Sequence, residues 1–95
     1  LFRPPYGRIT RKQVKELELK YSICMWDVLS GDFDPSVNVD RCIKNVVDHV
    51  EPGSIVVFHD SEKASKVMLA ALPVILNQLK NQGYQFKALT ENDLL

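Results

Sequence analysis

The sequence predicts an α/β fold built of parallel βα repeats. Short apolar runs (Tyr21 to Trp26, Ser54 to Phe58, Tyr84 to Leu89) alternate with stretches whose apolar residues recur at helical spacing, the pattern of strands joined by crossover helices. One of these runs, Ser54-Ile55-Val56-Val57-Phe58, is almost unbroken and rich in β-branched residues, as a strand covered on both faces requires.

The first strand is only the stub Leu1-Phe2. Thr10 with Gln13 three residues on forms a capping box, and Ile9 with Val14 forms a hydrophobic staple, so a helix is expected over Arg11 to Lys20. The strand Tyr21 to Trp26 ends in the polar, Gly-containing run Asp27 to Ser36. Ile43, Val46, Val47 and Val50 make the apolar stripe of a second helix, with Ser36 or Asn38 as its cap, Asp40 in its first turn and Pro52-Gly53 beyond its end. Met68, Leu72, Ile75, Leu76 and Leu79 mark a third helix from about Ala64 to Gln82. Pro73 lacks the amide that the helix interior needs, which predicts a kink or a fresh start there. Gly83 suits the position after the helix end, and Tyr84 to Leu89 alternates as a half-buried last strand should.

Ninety-five residues are one small domain or a piece of a larger one, with no room for a second core. The chain opens on Leu1-Phe2 without Met and enters Arg3-Pro4-Pro5-Tyr6-Gly7 as though cut near a strand end, and it reads as a fragment. Twelve basic and twelve acidic residues leave a net charge of zero, so there is no basic field to hold a phosphate backbone or an anionic bilayer. Nucleic acid is not an expected partner, and no apolar run is long enough to span a membrane. Cys24 and Cys42 lack metal or redox spacing and read as small buried residues. Asp27, Asp32, Asp34 and Asp40 do not meet the glycine and glutamate positions of an EF-hand loop. His49 flanks its helix stripe and reads as a rim histidine.

In parallel α/β folds functional groups gather at the carboxyl ends of the strands. Here those ends are followed by Arg3 to Gly7, by Asp27, Asp32, Phe33 and Asp34, and by His59-Asp60. The expectation is one mouth that holds an arginine, aromatics, carboxylates and a histidine.

Three segments, Arg3-Pro4-Pro5-Tyr6-Gly7, Trp26-Asp27-Val28-Leu29-Ser30-Gly31-Asp32-Phe33 and Ser54-Ile55-Val56-Val57-Phe58-His59-Asp60, resemble in order the third, fourth and fifth motifs of the polysaccharide deacetylase (NodB homology) domain, carbohydrate esterase family 4. The resemblance covers the whole chain, including Leu72-Pro73 to Leu79 and Gly83-Tyr84 near its end. It implies the C-terminal portion of a distorted (β/α) barrel, with an Asp-Asp pair and a His-x3-His helix lying upstream. Those upstream motifs would supply the base and the ligands of a divalent metal, zinc by the family's pattern, so no metal ligand is expected in this chain.

The resemblance further implies a hydrolase that removes N-acetyl groups from an amino-sugar polymer or glycan, at the cell envelope or otherwise outside the cytoplasm. Tyr6 would offer its backbone N–H to the oxyanion and Arg3 would hold the base aspartate. His59 would protonate the departing amine. Trp26 and Phe33 would wall the sugar groove, and Val57 would line the acetyl pocket. Leu29 stands where many members carry an aspartate that steadies this histidine, which leaves Asp32 or Asp60 to take its place. By itself the chain is expected to be inactive and to self-associate through exposed sheet edges. The rival reading is a non-catalytic carbohydrate-binding or scaffolding module on the same fold.

Overall fold

The computed structural model describes residues 1–94. It divides into two compact units, Leu1–Met25 with the C-terminal segment from Lys87, and Trp26–Phe86.

In the first unit Phe2 bridges Ile23 in parallel: Phe2 N–H donates to the Ser22 carbonyl (2.8 Å) and Cys24 N–H to the Phe2 carbonyl (2.7 Å). The ladder goes no further, and the expected strand Tyr21 to Trp26 is reduced to this one bridge. The next parallel bond would be donated by residue 4, which is proline and has no N–H. The Cys24 carbonyl is taken instead by the Arg3 side chain, through Nε at 3.1 Å. Helix α1 (Arg11–Leu17) starts on the expected capping box, with Thr10 Oγ1 accepting from Gln13 N–H and Gln13 Oε1 from Thr10 N–H. It ends three residues early because Lys20 and Tyr21 both turn back onto the Leu17 carbonyl.

The second unit holds two short parallel strands, β1 (Val28–Leu29) and β2 (Val56–Val57), paired Val28 to Val56 and Leu29 to Val57. Strand β1 thus lies inside the stretch expected to be a loop. Asp27 sets its start: its N–H donates to the Ile55 carbonyl while its Oδ2 accepts from Ile55 N–H at 2.7 Å. Between the strands runs α2 (Val39–Val47), capped by Asn38, whose Oδ1 accepts from Arg41 N–H at 2.8 Å. Ser36, the other cap candidate, closes a turn with Asp34 instead, donating from both N–H and Oγ to its Oδ1. Those bonds hold the Asp34 carboxyl below its ordinary pKa.

Helix α3 (Glu62–Asn81) begins at the Ser61 cap and runs unbroken through Pro73, against the expectation of a kink or restart. The carbonyl that loses its donor belongs to Leu69, which is 67% exposed, so water can replace the missing amide. The helix ends in a Schellman motif: Tyr84 N–H donates to the Leu79 carbonyl and Gly83 N–H to that of Lys80, with Gly83 at φ +95°. Helices α2 and α3 close over β1 around Val28, Cys42, Val46, Ala71, Ile75 and Leu79, with Ile43, Val47, Val50 and Tyr84 packed at the margin. The expected stripe Ile43, Val46, Val47 and Val50 thus faces this core. Tyr84 also donates its hydroxyl to the Val50 carbonyl at 3.3 Å.

The last expected strand does not form. Residues 84–89 find no partner strand among the described residues, and Phe86 is 52% exposed. A 3-10 turn at Glu91–Leu94 follows, where Asp93 gathers the Lys87 Nζ (2.8 Å) and the N–H and hydroxyl of Thr90. These donors, Lys87 first, pull the Asp93 pKa down to about 2.

Candidate functional site

Within the second unit, the pairing of β1 with β2 brings the segment after each strand to the same carboxyl edge. Ser30 N–H still donates to the Val57 carbonyl (3.2 Å), and then the chain bends at Gly31, φ +79°, to deliver Asp32. Past Val57, the other strand delivers Phe58 and His59.

Asp32 is 1% exposed yet fully paired. Its Oδ2 accepts from the His59 backbone N–H at 2.7 Å and its Oδ1 faces His59 Nδ1 at 2.8 Å. A carboxylate can only accept, so Nδ1 carries a proton, and whenever the ring is neutral Nε2 is its acceptor. Phe33 meets the same ring edge-on, centroids 4.9 Å apart. Held on two sides, the imidazole is still 39% exposed. The arrangement is a fixed, solvent-reachable group that can accept a proton at Nε2 and return it, with a buried carboxylate to hold the ring orientation throughout.

Of the two candidate carboxylates, Asp32 is the one that meets His59. Asp60 is exposed, and its side chain forms no hydrogen bond among the described residues. Leu29, in the place where an aspartate was missed, is an exposed residue in register with Val57. Val57 is buried, and strand alternation sets it on the face opposite Val56, which packs on the helical core. Trp26 is half-buried at the start of this unit. His49 is exposed in the turn after α2, its Nδ1 against the Asn45 carbonyl at 2.9 Å.

Arg3 and Tyr6 belong to the first unit. The guanidinium of Arg3 is fixed on Cys24, through the carbonyl and, at 3.5 Å, the sulfur. Tyr6 sits in the 3-10 turn Pro5–Gly7, closed by Gly7 N–H to the Pro4 carbonyl and Arg8 N–H to that of Pro5. Its φ of +57° is the left-handed region, costly for an aromatic residue, and its side chain is 95% exposed. The Tyr6 N–H donates to no backbone carbonyl among the described residues.

Behind Asp32 lies a layer to which the sequence assigned no part in the site: Ser30, Asn45 and Cys42, the last buried as expected. Cys42 is fully buried, and burial first, then the Asp32 charge, pushes its thiol pKa up. Asn45 was legible in one respect, as an amide beside the apolar stripe of α2. Among the described residues no three His, Cys, Asp or Glu side chains come together as a metal site. No described helix is long and apolar enough to cross a membrane.

Comparison with known proteins gives this strand-end site a family: the chain is part of a polysaccharide deacetylase domain, of α/β fold with parallel strands. It is 35% identical over 96 residues to a peptidoglycan-N-acetylglucosamine deacetylase of Bacillus cereus, a match that covers 96% of this chain and 44% of that protein. It is 34% identical to the peptidoglycan-N-acetylglucosamine deacetylase PgdA of Listeria monocytogenes, covering 94% of this chain and 18% of the relative. A bifunctional xylanase/deacetylase of Pseudobutyrivibrio xylanivorans is 29% identical over 95% of the chain and 14% of its own length. Among solved structures, a peptidoglycan N-acetylglucosamine deacetylase in complex with 4-naphthalen-1-yl-N-oxidanyl-benzamide superposes with a TM-score of 0.81 at 33% identity. That match covers 90% of this chain and 40% of the other. The chain thus spans less than half the length of each of these relatives. No model of a known protein family matches it.

Proposed function

We propose that this chain is the C-terminal part of a hydrolase that removes N-acetyl groups from an amino-sugar polymer or glycan, and that His59 handles a proton in that reaction. The observation that carries the reading is the Asp32–His59 pair: a buried carboxylate holds Nδ1 and the backbone N–H, and an exposed ring presents its far nitrogen. A carbohydrate groove that only binds has no need of an imidazole fixed at two points, which weighs against the non-catalytic alternative.

In this reading His59, once protonated at Nε2, gives that proton to the nitrogen that leaves as the amide bond breaks, and Asp32 keeps the ring aligned while it carries the charge and as it returns to neutral. The Tyr6 N–H, without a backbone partner among the described residues, is assigned as the donor for the carbonyl oxygen as it becomes negative, presented by the strained turn at Pro5–Gly7. Arg3, already fixed on Cys24, is assigned to a carboxylate from outside this chain. Trp26 and Phe33 are assigned to the sugar and Val57 to the acetyl methyl. A divalent metal and its ligands are assigned, on the family resemblance, to the longer protein of which this chain covers less than half, and the activity is assigned to that whole protein.

The test is amine release from acetylated glucosamine oligomers and peptidoglycan by the full-length protein, unmutated and with His59→Asn. The substitution should lower kcat by roughly 10²–10⁴-fold with little change in KM. An Asn variant of undiminished kcat would remove His59 from the reaction, and an unmutated protein that binds these glycans without releasing amine would favour the binding module.

A further inference from the structure

We propose that Asn45, on the helix behind the site, is a positioning residue for His59; the proposal rests on the reading of His59 given above. It acts through the bend Ser30-Gly31-Asp32. After β1 the Ser30 carbonyl has left the strand ladder, yet Ser30 is fully buried, and a buried carbonyl needs a donor. Asn45 supplies it, Nδ2 donating to the Ser30 oxygen at 2.9 Å.

The same amide packs on the next residue. A Cβ placed on Gly31 would come within 3.1 Å of Asn45 Nδ2 and 3.4 Å of a Val37 methyl. Glycine is therefore required twice at position 31, by its positive φ and by the closeness of Asn45. Asp32 follows directly, its own N–H reaching back to Ser30 Oγ over a long 3.4 Å. The carboxylate that holds His59 at two points is therefore aimed by a bend whose outer side is fixed by α2. Asn45 stands in sequence between Ile43 and Val46, on a helix otherwise apolar toward the core, and an aliphatic residue there would leave the Ser30 carbonyl without a donor.

The deciding measurement is the ring tautomer of His59, read from long-range ¹H–¹⁵N spectra at a pH where the ring is neutral. Asn45→Ser shortens the side chain, and Asn45→Asp keeps its shape but turns donor into acceptor. Both should convert the single Nδ1–H form into a mixture with Nε2–H, and in the full-length protein lower kcat by roughly 10-fold at unchanged KM, short of the ~10²-fold that a 1 Å misplacement can cost. Val37→Ala thins the packing on the same glycine without removing the amide. It should lower Tm and leave tautomer and kcat alone, which separates positioning from mere stability. A folded Asn45→Ser protein that keeps the Nδ1–H form overturns the proposal. Should neither Asn45 variant fold, hydrogen exchange of the Asn45 side-chain amide in the unmutated protein decides: slow exchange supports the bond to Ser30, and exchange at the free-solvent rate overturns it. If the unmutated protein shows no deacetylase activity, the assigned reaction falls, and the tautomer still decides the role of Asn45.

Discussion

Replacing Asp32 by Asn probes the centre of the site with almost no change of shape. The carboxylate accepts twice, from the His59 backbone N–H at 2.7 Å and from Nδ1 at 2.8 Å. An asparagine has one oxygen, and the backbone N–H can only donate, so the oxygen must stay there and the NH2 must turn toward Nδ1. Two donors then face each other unless the ring gives up its Nδ1 proton. The expected result is a tautomer switch: Nε2 becomes protonated and Nδ1 becomes the acceptor. Charge-assisted bonds contribute ~1.5–3 kcal/mol against ~0.5–1.5 for neutral ones, so exchanging two of them should cost roughly 2–3 kcal/mol. Part of this is offset, because a charge that is 1% exposed no longer has to be buried. A net destabilisation of about 1–2 kcal/mol should appear in urea unfolding. In the full-length protein kcat should fall by up to ~10⁴-fold, the penalty seen where an acid–base histidine of a catalytic triad is held in the wrong tautomer. An Asn variant that retains the Nδ1–H ring and full activity would refute both the donor count and the role given to Asp32.

Three further outcomes follow from other parts of the chain. Ile75 is 1% exposed in the core of the second unit, and Ile75→Ala should cost ~2–5 kcal/mol, read as a lower urea midpoint and a large part of the stability of so small a chain. The Asp93 pKa lies at about 2 against an ordinary 3.8, so the bonds to Lys87 and Thr90 favour order above the ordinary value and lose that effect as pH falls toward 2. Amide shifts of Thr90 and Asp93 should report this between roughly pH 4 and 2, and Asp93→Asn should abolish the step. Strands β1 and β2 each have one neighbour and one open edge among the described residues, and Leu69, Val74 and Leu76 lie exposed on α3, so the isolated chain should associate. Light scattering at rising micromolar concentration checks this, and a mass fixed at the monomer would count against it.

Much of the local structure was legible because its causes are local. The Thr10–Gln13 capping box is satisfied within four residues of chain and the Gly83 turn closes within six, while of the two cap candidates Ser36 and Asn38 the structure chose Asn38. The stripe Ile43, Val46, Val47 and Val50 needs only helical periodicity, and the deacetylase resemblance needs only three motifs in order, so both could be read along the chain.

What tertiary structure decided are the choices between equals that only distant partners settle. The strand at Tyr21 to Trp26 gave way to β1 because Pro4 cannot donate to one ladder, while the Ile55 backbone, 28 positions beyond Asp27, offers another. Pro73 stays inside α3 because its orphaned carbonyl faces water, which is a matter of burial and not of propensity. The carboxylate for His59 could have been Asp60, its neighbour in sequence. It is Asp32, 27 positions away, because parallel pairing brings the two strand ends together and Gly31 turns the chain back at that edge. Spacing along a chain records which groups are available, but the distances between them depend on register and bend, and these are properties of the packed whole.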